Sequence, residues 1–172
     1  MKRVGGRNDG FTLAELLIVV AIIGVLVAIS IPIFSSQLEK SRRAVDISNA
    51  RSIRSAMTLA LNQGDLEIRD DGTEIVLHIS ASKVDGGVHG TMDNVFIEGV
   101  RYPGYQSMWN LFKKYGISDQ IRMKQKSSNI EWYAVSINGK GQCYYYEGKG
   151  KMDDYQMPSV ATKYDWNELS GS

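Results

Sequence analysis

The charged residue that stands out in this sequence is Glu15, within the stretch GFTLAELLIVV that begins at Gly10. It lies four residues after Phe11 and is the only charged residue between positions 11 and 34. A charged group in hydrocarbon surroundings is costly and rare, and where one occurs it usually marks a working site. Two interpretations are open: a functional carboxylate, or an acid near a helix end that extends toward the membrane surface.

Residues of the types that usually carry catalysis are few. His78 and His89 are the only histidines, and Cys143 is the only cysteine. The local pattern predicts a strand position on the second face of a sheet for His78 and a loop position for His89. A single cysteine excludes an internal disulfide and the CxxC type of metal or redox site. We therefore predict a buried thiol at Cys143 and no catalytic residue.

Metal and phosphate sites are not predicted either. The acidic residues near the C-terminus lack the spacing of an EF-hand loop and are expected to be solvated: Asp153, Asp154, Asp165 and Glu168. The segments NGKGQ and EGKGK lack the spacing of a phosphate-binding loop, so they are expected to be turns. With 20 basic and 19 acidic residues, the overall charge does not favour nucleic acid. No cofactor, no metal and no enzymatic activity are predicted.

The element that positions Glu15 is an apolar run from residue 11 to residue 34. Only three of its 24 residues are polar: Thr12, Glu15 and Ser30. As a helix it would be about 36 Å long, enough for a hydrocarbon core of about 30 Å. The residues before it carry a basic excess, with Lys2, Arg3 and Arg7 against Asp9. By the positive-inside rule, the N-terminus is cytoplasmic and the chain after Phe34 lies outside the membrane.

Two simpler interpretations of the apolar run remain open. A secretory signal peptide would be removed near residues 28–30, where small residues flank Ile29. Its apolar region is usually about 7 to 15 residues long, shorter than this run. A plain uncleaved membrane anchor fits the length and the flanking charges. It leaves Glu15 and the junction of Gly10 with Phe11 unexplained.

The helical pattern continues from the apolar run to about Asn62. Residues 35–62 are amphipathic, and the apolar positions form one stripe: Phe34, Leu38, Val45, Ile53, Met57 and Leu61. Gly64 is the expected C-cap. Pro32 removes a backbone hydrogen bond and Gly24 is a poor helix former, so we expect a kink or local break between them.

Residues 63–172 are predicted to form a small α+β head. TEIVLHIS and NVFIEGV are expected strands, DGGVHGT a loop, and YQSMWNLFKKYG a helix. The clearest hairpin joins IEWYAVSI to QCYYYE, and its consecutive tyrosines 144–146 alternate faces and cannot form one stacking platform. The polar tail either wraps the sheet or stays loose. The predicted fold is α+β, with the long helix packed through its stripe against an antiparallel sheet.

The N-terminal segment has Gly10 before Phe11, Glu15 as the fifth residue after this junction, and a long apolar helix. In these features it resembles the class III signal of type IV prepilins and of the pseudopilins of type II secretion. The resemblance covers about the first 50 residues and implies a pilin-like fold. It implies that prepilin peptidase cleaves between Gly10 and Phe11, that Phe11 is N-methylated, and that the mature subunits assemble into a helical filament. Asp9 departs mildly from such leaders, which usually keep basic residues near the cleavage site.

The resemblance assigns an assembly role to Glu15 together with Phe11. Cleavage creates a cationic amine at Phe11, which lies four residues before the carboxylate. Within a filament, Glu15 can pair with the amine of a neighbouring subunit. Because much of this attraction offsets desolvation, its main effect is to set the axial register. Packing of the apolar helices supplies the bulk of the affinity.

The expected function is a non-enzymatic subunit of a type IV pilus-like filament that serves adhesion, twitching motility or DNA uptake. One alternative is a pseudopilin of a type II secretion or competence system. Another is a membrane-anchored binding or enzyme domain. The expected partners are prepilin peptidase, identical or related pilin subunits, the inner-membrane assembly platform and, before assembly, the lipid bilayer. The expected location is the cytoplasmic membrane as a single-pass protein, then a surface pilus.

Overall fold

The computed structural model describes residues 11–126, 129–150, 161–166 and 169. The predicted leader, residues 1–10, lies outside this part of the chain, and so does the predicted cleavage residue Gly10. The chain divides into two compact units, Met1–Lys40 and Ser41–Ser172.

Helix α1 extends over Leu13–Gln63 and contains 51 residues. Its end confirms the expected C-cap, because Gly64 has a φ of +78° and its N–H donates to the Leu61 carbonyl at 3.1 Å. A left-handed residue is most easily supplied by glycine, which has no Cβ. The predicted start at Phe11 is two residues early, since α1 begins at Leu13.

In the unit of residues 1–40, the apolar side chains of α1 are exposed around the whole helix. Among the described residues, one helix, α1, is long and apolar enough to cross a membrane. The Ser30 hydroxyl donates to the Leu26 carbonyl at 2.7 Å, which satisfies this polar group within the helix. The helix is continuous through Gly24 and Pro32 in the single chain. A break on assembly into a filament stays a prediction.

The unit of residues 41–172 contains two antiparallel sheets and a short helix α2, Tyr105–Lys114. The strands are β1 Leu66–Ile68, β2 Glu74–Ser80, β3 Val84–His89, β4 Val95–Ile97, β5 Val100–Arg101, β6 Trp132–Asn138, β7 Cys143–Gly148 and β8 Thr162–Tyr164. The five-stranded sheet has the order β3-β2-β6-β7-β8, and the three-stranded sheet has the order β1-β4-β5. The architecture confirms the predicted α+β class, the β6–β7 hairpin and the helix over YQSMWNLFKKYG.

The main core lies between the second half of α1 and one face of the five-stranded sheet. Ile53 and Met57 of α1 are fully buried with Ile75 and Leu77 of β2 and Phe112 of α2. The prediction that Val45 belongs to the buried stripe is wrong. Val45 is 43% exposed, whereas the next two residues, Asp46 and Ile47, are buried. The α1 positions facing this core include three alanines, whose small side chains allow close approach to the sheet: Ala50, Ala56 and Ala60.

The prediction of a loop over DGGVHGT is also wrong, because residues 84–89 form the edge strand β3 paired with β2. Gly86 lies opposite Leu77, and a Cβ at this position would collide with the methyl group of Met108 on α2. The glycine therefore permits helix and strand to pack closely, and pairing with β2 overrides its poor strand propensity.

Part of the C-terminal tail adds to the sheet. Residues of β8 pair with β7, with Tyr145 opposite Tyr164. Beyond β8, Trp166 and Leu169 are buried in the main core. The Trp166 ring meets the Tyr145 ring edge-on, with centroids 6.0 Å apart. Strand pairing and aromatic packing thus hold this part of the tail without a disulfide.

Candidate assembly site

The first turn of α1 is closed by a reciprocal interaction between Thr12 and Glu15. The Glu15 N–H donates to Thr12 Oγ1 at 3.2 Å. In return, Glu15 Oε2 accepts hydrogen bonds from the Thr12 N–H and from its hydroxyl, each at 2.8 Å. This is a capping box, in which two backbone donors that have no partner within the helix are satisfied by side chains.

Thr12 is the residue at this site that the sequence reasoning missed. The signal was available, because a threonine followed three residues later by glutamate, just before an apolar run, is the pattern of a capping box. The two residues together start the helix in an otherwise apolar segment. The structure thereby adds a role for Glu15 at the helix start to the role expected in assembly.

The geometry also leaves Glu15 able to bind a further donor. Both hydrogen bonds from Thr12 go to Oε2, and an ionised carboxylate has acceptor capacity on both oxygens. Phe11 is the residue just before Thr12 and is 87% exposed. An amine exists there only after cleavage of the preceding peptide bond. Cleavage at Gly10, methylation of Phe11 and pairing with Glu15 therefore remain predictions.

The apolar surface next to this site is unusually large. Side chains from Phe11 to Phe34 expose between 47% and 87% of their surface where they are large and hydrophobic. Contiguous exposed apolar surface of this kind marks a membrane or protein contact. A carboxylate at one end of such a helix can fix its register while the apolar side chains provide the affinity.

His78 occupies the strand position predicted for it, on the second face of the sheet. It is buried next to Trp132, with ring centroids 5.2 Å apart. Burial lowers the pKa of His78 to about 4, and the nearby charges of Asp85 and Lys83 act in opposite directions. His89 lies at the end of β3 and not in the predicted loop. The buried, neutral imidazole of His78 fits a packing role.

The thiol of Cys143 is half-buried, less than predicted. Its sulfur lies 3.7 Å from the Thr58 hydroxyl of α1. Burial raises the pKa of the thiol, which keeps it protonated and weakly reactive at neutral pH. The nearby Arg54 guanidinium lowers this pKa in part, but burial has the larger effect.

The described residues contain no group of three or more histidine, cysteine or acidic side chains able to hold a metal ion. Of the C-terminal acids, Asp165 is described and exposed. Asp153, Asp154 and Glu168 lie outside the described residues. The alternation of the tyrosines is as expected, because Tyr145 faces the main core while Tyr146 packs with the residues of the second face.

A buried polar cluster near the start of the second unit was also missed. The Asp46 carboxylate is fully buried and accepts hydrogen bonds from the backbone N–H groups of Lys124 and Gln125, both at 2.8 Å. Glu147 is buried nearby, accepts a hydrogen bond from the Tyr145 hydroxyl at 2.9 Å and forms an ion pair with Arg43 at 3.5 Å. These contacts attach the segment after α2 to α1, and they indicate structural roles.

Comparisons with known proteins agree with the N-terminal geometry. The family described as "Prokaryotic N-terminal methylation motif" matches residues 6–31. The Type IV major fimbrial protein FimA of Dichelobacter nodosus is 29% identical over 145 residues, covering 83% of this chain and 88% of that protein. This alignment extends well beyond the N-terminal helix into the head.

Two further relatives match over shorter lengths. The Type IV major pilin protein PilA of Myxococcus xanthus is 40% identical over 65 residues, which are 38% of this chain and 30% of that protein. The Type IV narrow pilus major component PilA5 of Thermus thermophilus is 44% identical over 57 residues, which are 33% of this chain and 49% of that protein. No solved structure gives a significant match.

The motif, the similarities and the structure agree on one assignment. The methylation motif covers the segment that holds Thr12 and Glu15, and the long helix with an antiparallel head is pilin-like. The relatives named above are a major fimbrial protein, a major pilin and a major component of a narrow pilus. The chain carries the N-terminal methylation motif and is similar to type IV pilins and fimbrial proteins.

Proposed function

We propose that this chain is the precursor of a structural subunit of a type IV pilus. Prepilin peptidase removes residues 1–10, Phe11 becomes the methylated N-terminus, and the assembly platform of the inner membrane extracts the subunit into a filament of identical or related copies. The observation that carries the proposal is a single carboxylate, Glu15, at the start of a helix whose apolar residues up to Phe34 are exposed on all sides.

The geometry supports a step-by-step role for this carboxylate. In the chain before cleavage, Glu15 binds Thr12 and caps the helix. After cleavage, the amine of Phe11 provides a cation, and a neighbouring subunit's amine can reach a carboxylate that still has free acceptor capacity. A charge pair of this kind within an apolar filament core favours one axial register between neighbouring subunits, because any other register would leave a charge unpaired.

Before assembly, the segment of residues 11–34 spans the cytoplasmic membrane once. Its length fits the hydrocarbon core, and the basic residues before it favour a cytoplasmic N-terminus. After assembly, the subunit lies in a filament at the cell surface. The same apolar surface thus contacts lipid first and other subunits later.

A pseudopilin of a type II secretion or competence system is the second candidate, because its precursor would carry the same motif. The similarity to FimA favours a pilus, since it includes most of the head and not only the shared N-terminal segment. Adhesion, twitching motility and DNA uptake are the candidate roles of such a pilus.

Mass spectrometry of the mature N-terminus tests the proposal. In wild-type cells we expect methylated Phe11 at the N-terminus of the protein in the membrane and filament fractions. The Gly10→Val variant should keep its leader, because glycine lets the peptidase approach the backbone closely. Gly5→Val, which changes a leader glycine away from the junction, is the matched control and should mature normally. A mature N-terminus at Ile31, or an intact Met1 in wild-type cells, would contradict the proposal.

Electron microscopy separates the two candidates. An antibody against the head should label long surface filaments when the protein is expressed at its natural level. Absence of such filaments, together with loss of secretion when the gene for this chain is deleted, would favour the pseudopilin.

A further inference from the structure

The exposed side of α1 in the second unit carries a polar groove. It has a volume of about 590 Å³ and is lined by Arg51, Arg54, Ser55, Thr58, Leu59 and Asn62. Five of these six side chains can donate hydrogen bonds, and none is acidic. We call this surface the arginine groove. Its chemistry fits a partner that presents carboxylates.

The two arginines of the groove are available to such a partner. The Arg54 guanidinium lies over the Trp166 ring at 5.1 Å and interacts with the Cys143 thiol, contacts that restrain its position while the residue stays exposed. Arg51 is exposed and forms no ion pair with any residue in the described part of the chain. By contrast, other exposed cations of the head have acidic partners, such as Arg69, Arg101, Lys113 and Lys140.

The head also has the complementary surface. Residues 41–62 contain four arginines and one acid, the buried Asp46, whereas residues 65–101 contain eight acids and three basic residues. Four carboxylates on and beside the three-stranded sheet are more than half exposed: Glu67, Asp71, Asp93 and Glu98. We call them the acidic patch. Each one pairs with an exposed cation of its own subunit, an interaction that contributes little and exchanges readily.

From this segregation of charge we infer that the arginine groove of one subunit binds the acidic patch of a second copy of this chain. The contact is heterologous, because it joins two different surfaces. A heterologous contact repeats from copy to copy and produces an open helical assembly instead of a closed dimer. It would therefore guide the packing of heads along a filament, in addition to the register set at Glu15. This inference rests on the proposed function.

Charge-reversal variants of the full-length protein, expressed in cells, test the contact. In Arg51→Glu and in Arg51→Glu with Arg54→Glu, we expect filament yield to fall by about tenfold, since like charges then face each other. The readout is sheared surface protein relative to mature protein in the membrane. The single variant avoids loss of the Arg54–Trp166 contact. Lys149→Glu, which reverses one exposed charge outside the groove, should keep wild-type yield.

Rescue identifies the partner surface. Arg51→Glu is combined in turn with Glu67→Lys, Asp71→Lys, Asp93→Lys and Glu98→Lys, and at least one combination should restore filaments. Restoration by none of the four would overturn the inference, and so would unchanged yield in both arginine variants. Absence of filaments in wild type would instead contradict the proposed function, so the two failures are distinguishable.

Discussion

The carboxylate of Asp46 accepts a hydrogen bond from the backbone N–H of Gln125 at 2.8 Å, across 79 positions of sequence. The neighbouring N–H of Lys124 donates to both oxygens of the same carboxylate, at 2.8 and 3.0 Å. A fully buried charge is tolerated because these donors replace water. Asp46 therefore holds the segment between α2 and β6 against α1.

The first prediction concerns this attachment. Asp46→Asn keeps the size of the side chain but removes its charge and replaces one acceptor oxygen with an N–H donor facing backbone N–H groups. We expect a loss of about 2 kcal/mol in the free energy of unfolding. Chemical denaturation in detergent measures it. Asp93→Asn, at a 65% exposed position, is the matched control and should change stability by less than about 0.5 kcal/mol. Equal effects would contradict the role of Asp46.

The second prediction concerns pH and His78. Its pKa is about 4 in the folded protein because burial disfavours the charged form, against 6.5 ordinarily. Between these values the unfolded chain binds a proton that the folded chain does not. The stability contributed by the neutral histidine is therefore fully present above about pH 6.5. As the pH falls toward about 4, the free energy of unfolding decreases by about 3 kcal/mol.

His78→Phe tests this dependence, because phenylalanine keeps an aromatic ring beside Trp132 and cannot titrate. Unfolding free energies of wild type and variant are compared at several pH values from 4 to 7. The difference between the two proteins should change with pH in this window and be constant above it. Parallel curves throughout would show that His78 does not control the acid sensitivity.

The third prediction separates the two roles at the start of α1. Glu15→Gln and Glu15→Ala remove the charge, so membrane insertion and cleavage after Gly10 should persist while filaments are lost. The neighbouring amine would be left desolvated without its partner. Thr12→Val removes the capping hydroxyl and keeps the carboxylate, at a cost of about 1 kcal/mol to the helix start. We expect this variant to assemble.

The measurement is the ratio of sheared filament protein to mature protein in the membrane. Wild-type filament yield from Glu15→Ala would show that the carboxylate only extends toward the membrane surface. Equal loss of filaments in Thr12→Val would assign the defect to helix capping and not to the charge.

The fourth prediction concerns the helix between Gly24 and Pro32. We expect a filament map to show broken helical density there, because an extended residue covers about 3.3 Å against about 1.5 Å in a helix and the segment can lengthen during extraction. Pro32→Ala with Gly24→Ala should restore helical density, since alanine is the best helix former and donates its N–H. A continuous, straight helix in wild-type filaments would refute the prediction.

Several features follow from the sequence because the forces that produce them are local. The length of α1, its end at Gly64 and the β6–β7 hairpin depend on periodicity and on turn residues near in sequence. The unusual position of Glu15 can be recognised from the sequence for the same reason, because it is the only charged residue among the 24 residues of positions 11–34. The capping box of Thr12 and Glu15 is likewise a local pattern in the sequence.

Other features were decided only by the tertiary structure. The glycine-rich segment at Gly86 becomes strand β3 because β2 offers a partner, and the missing side chain of Gly86 leaves room for the methyl group of Met108. Asp46 is buried, and Val45 exposed, because the donors that stabilise the carboxylate come from residues about 80 positions away. No local pattern encodes such distant partners, since hydrogen bonding and packing between remote segments depend on how the whole head folds. The arginine groove and the acidic patch are likewise surfaces that exist only after folding.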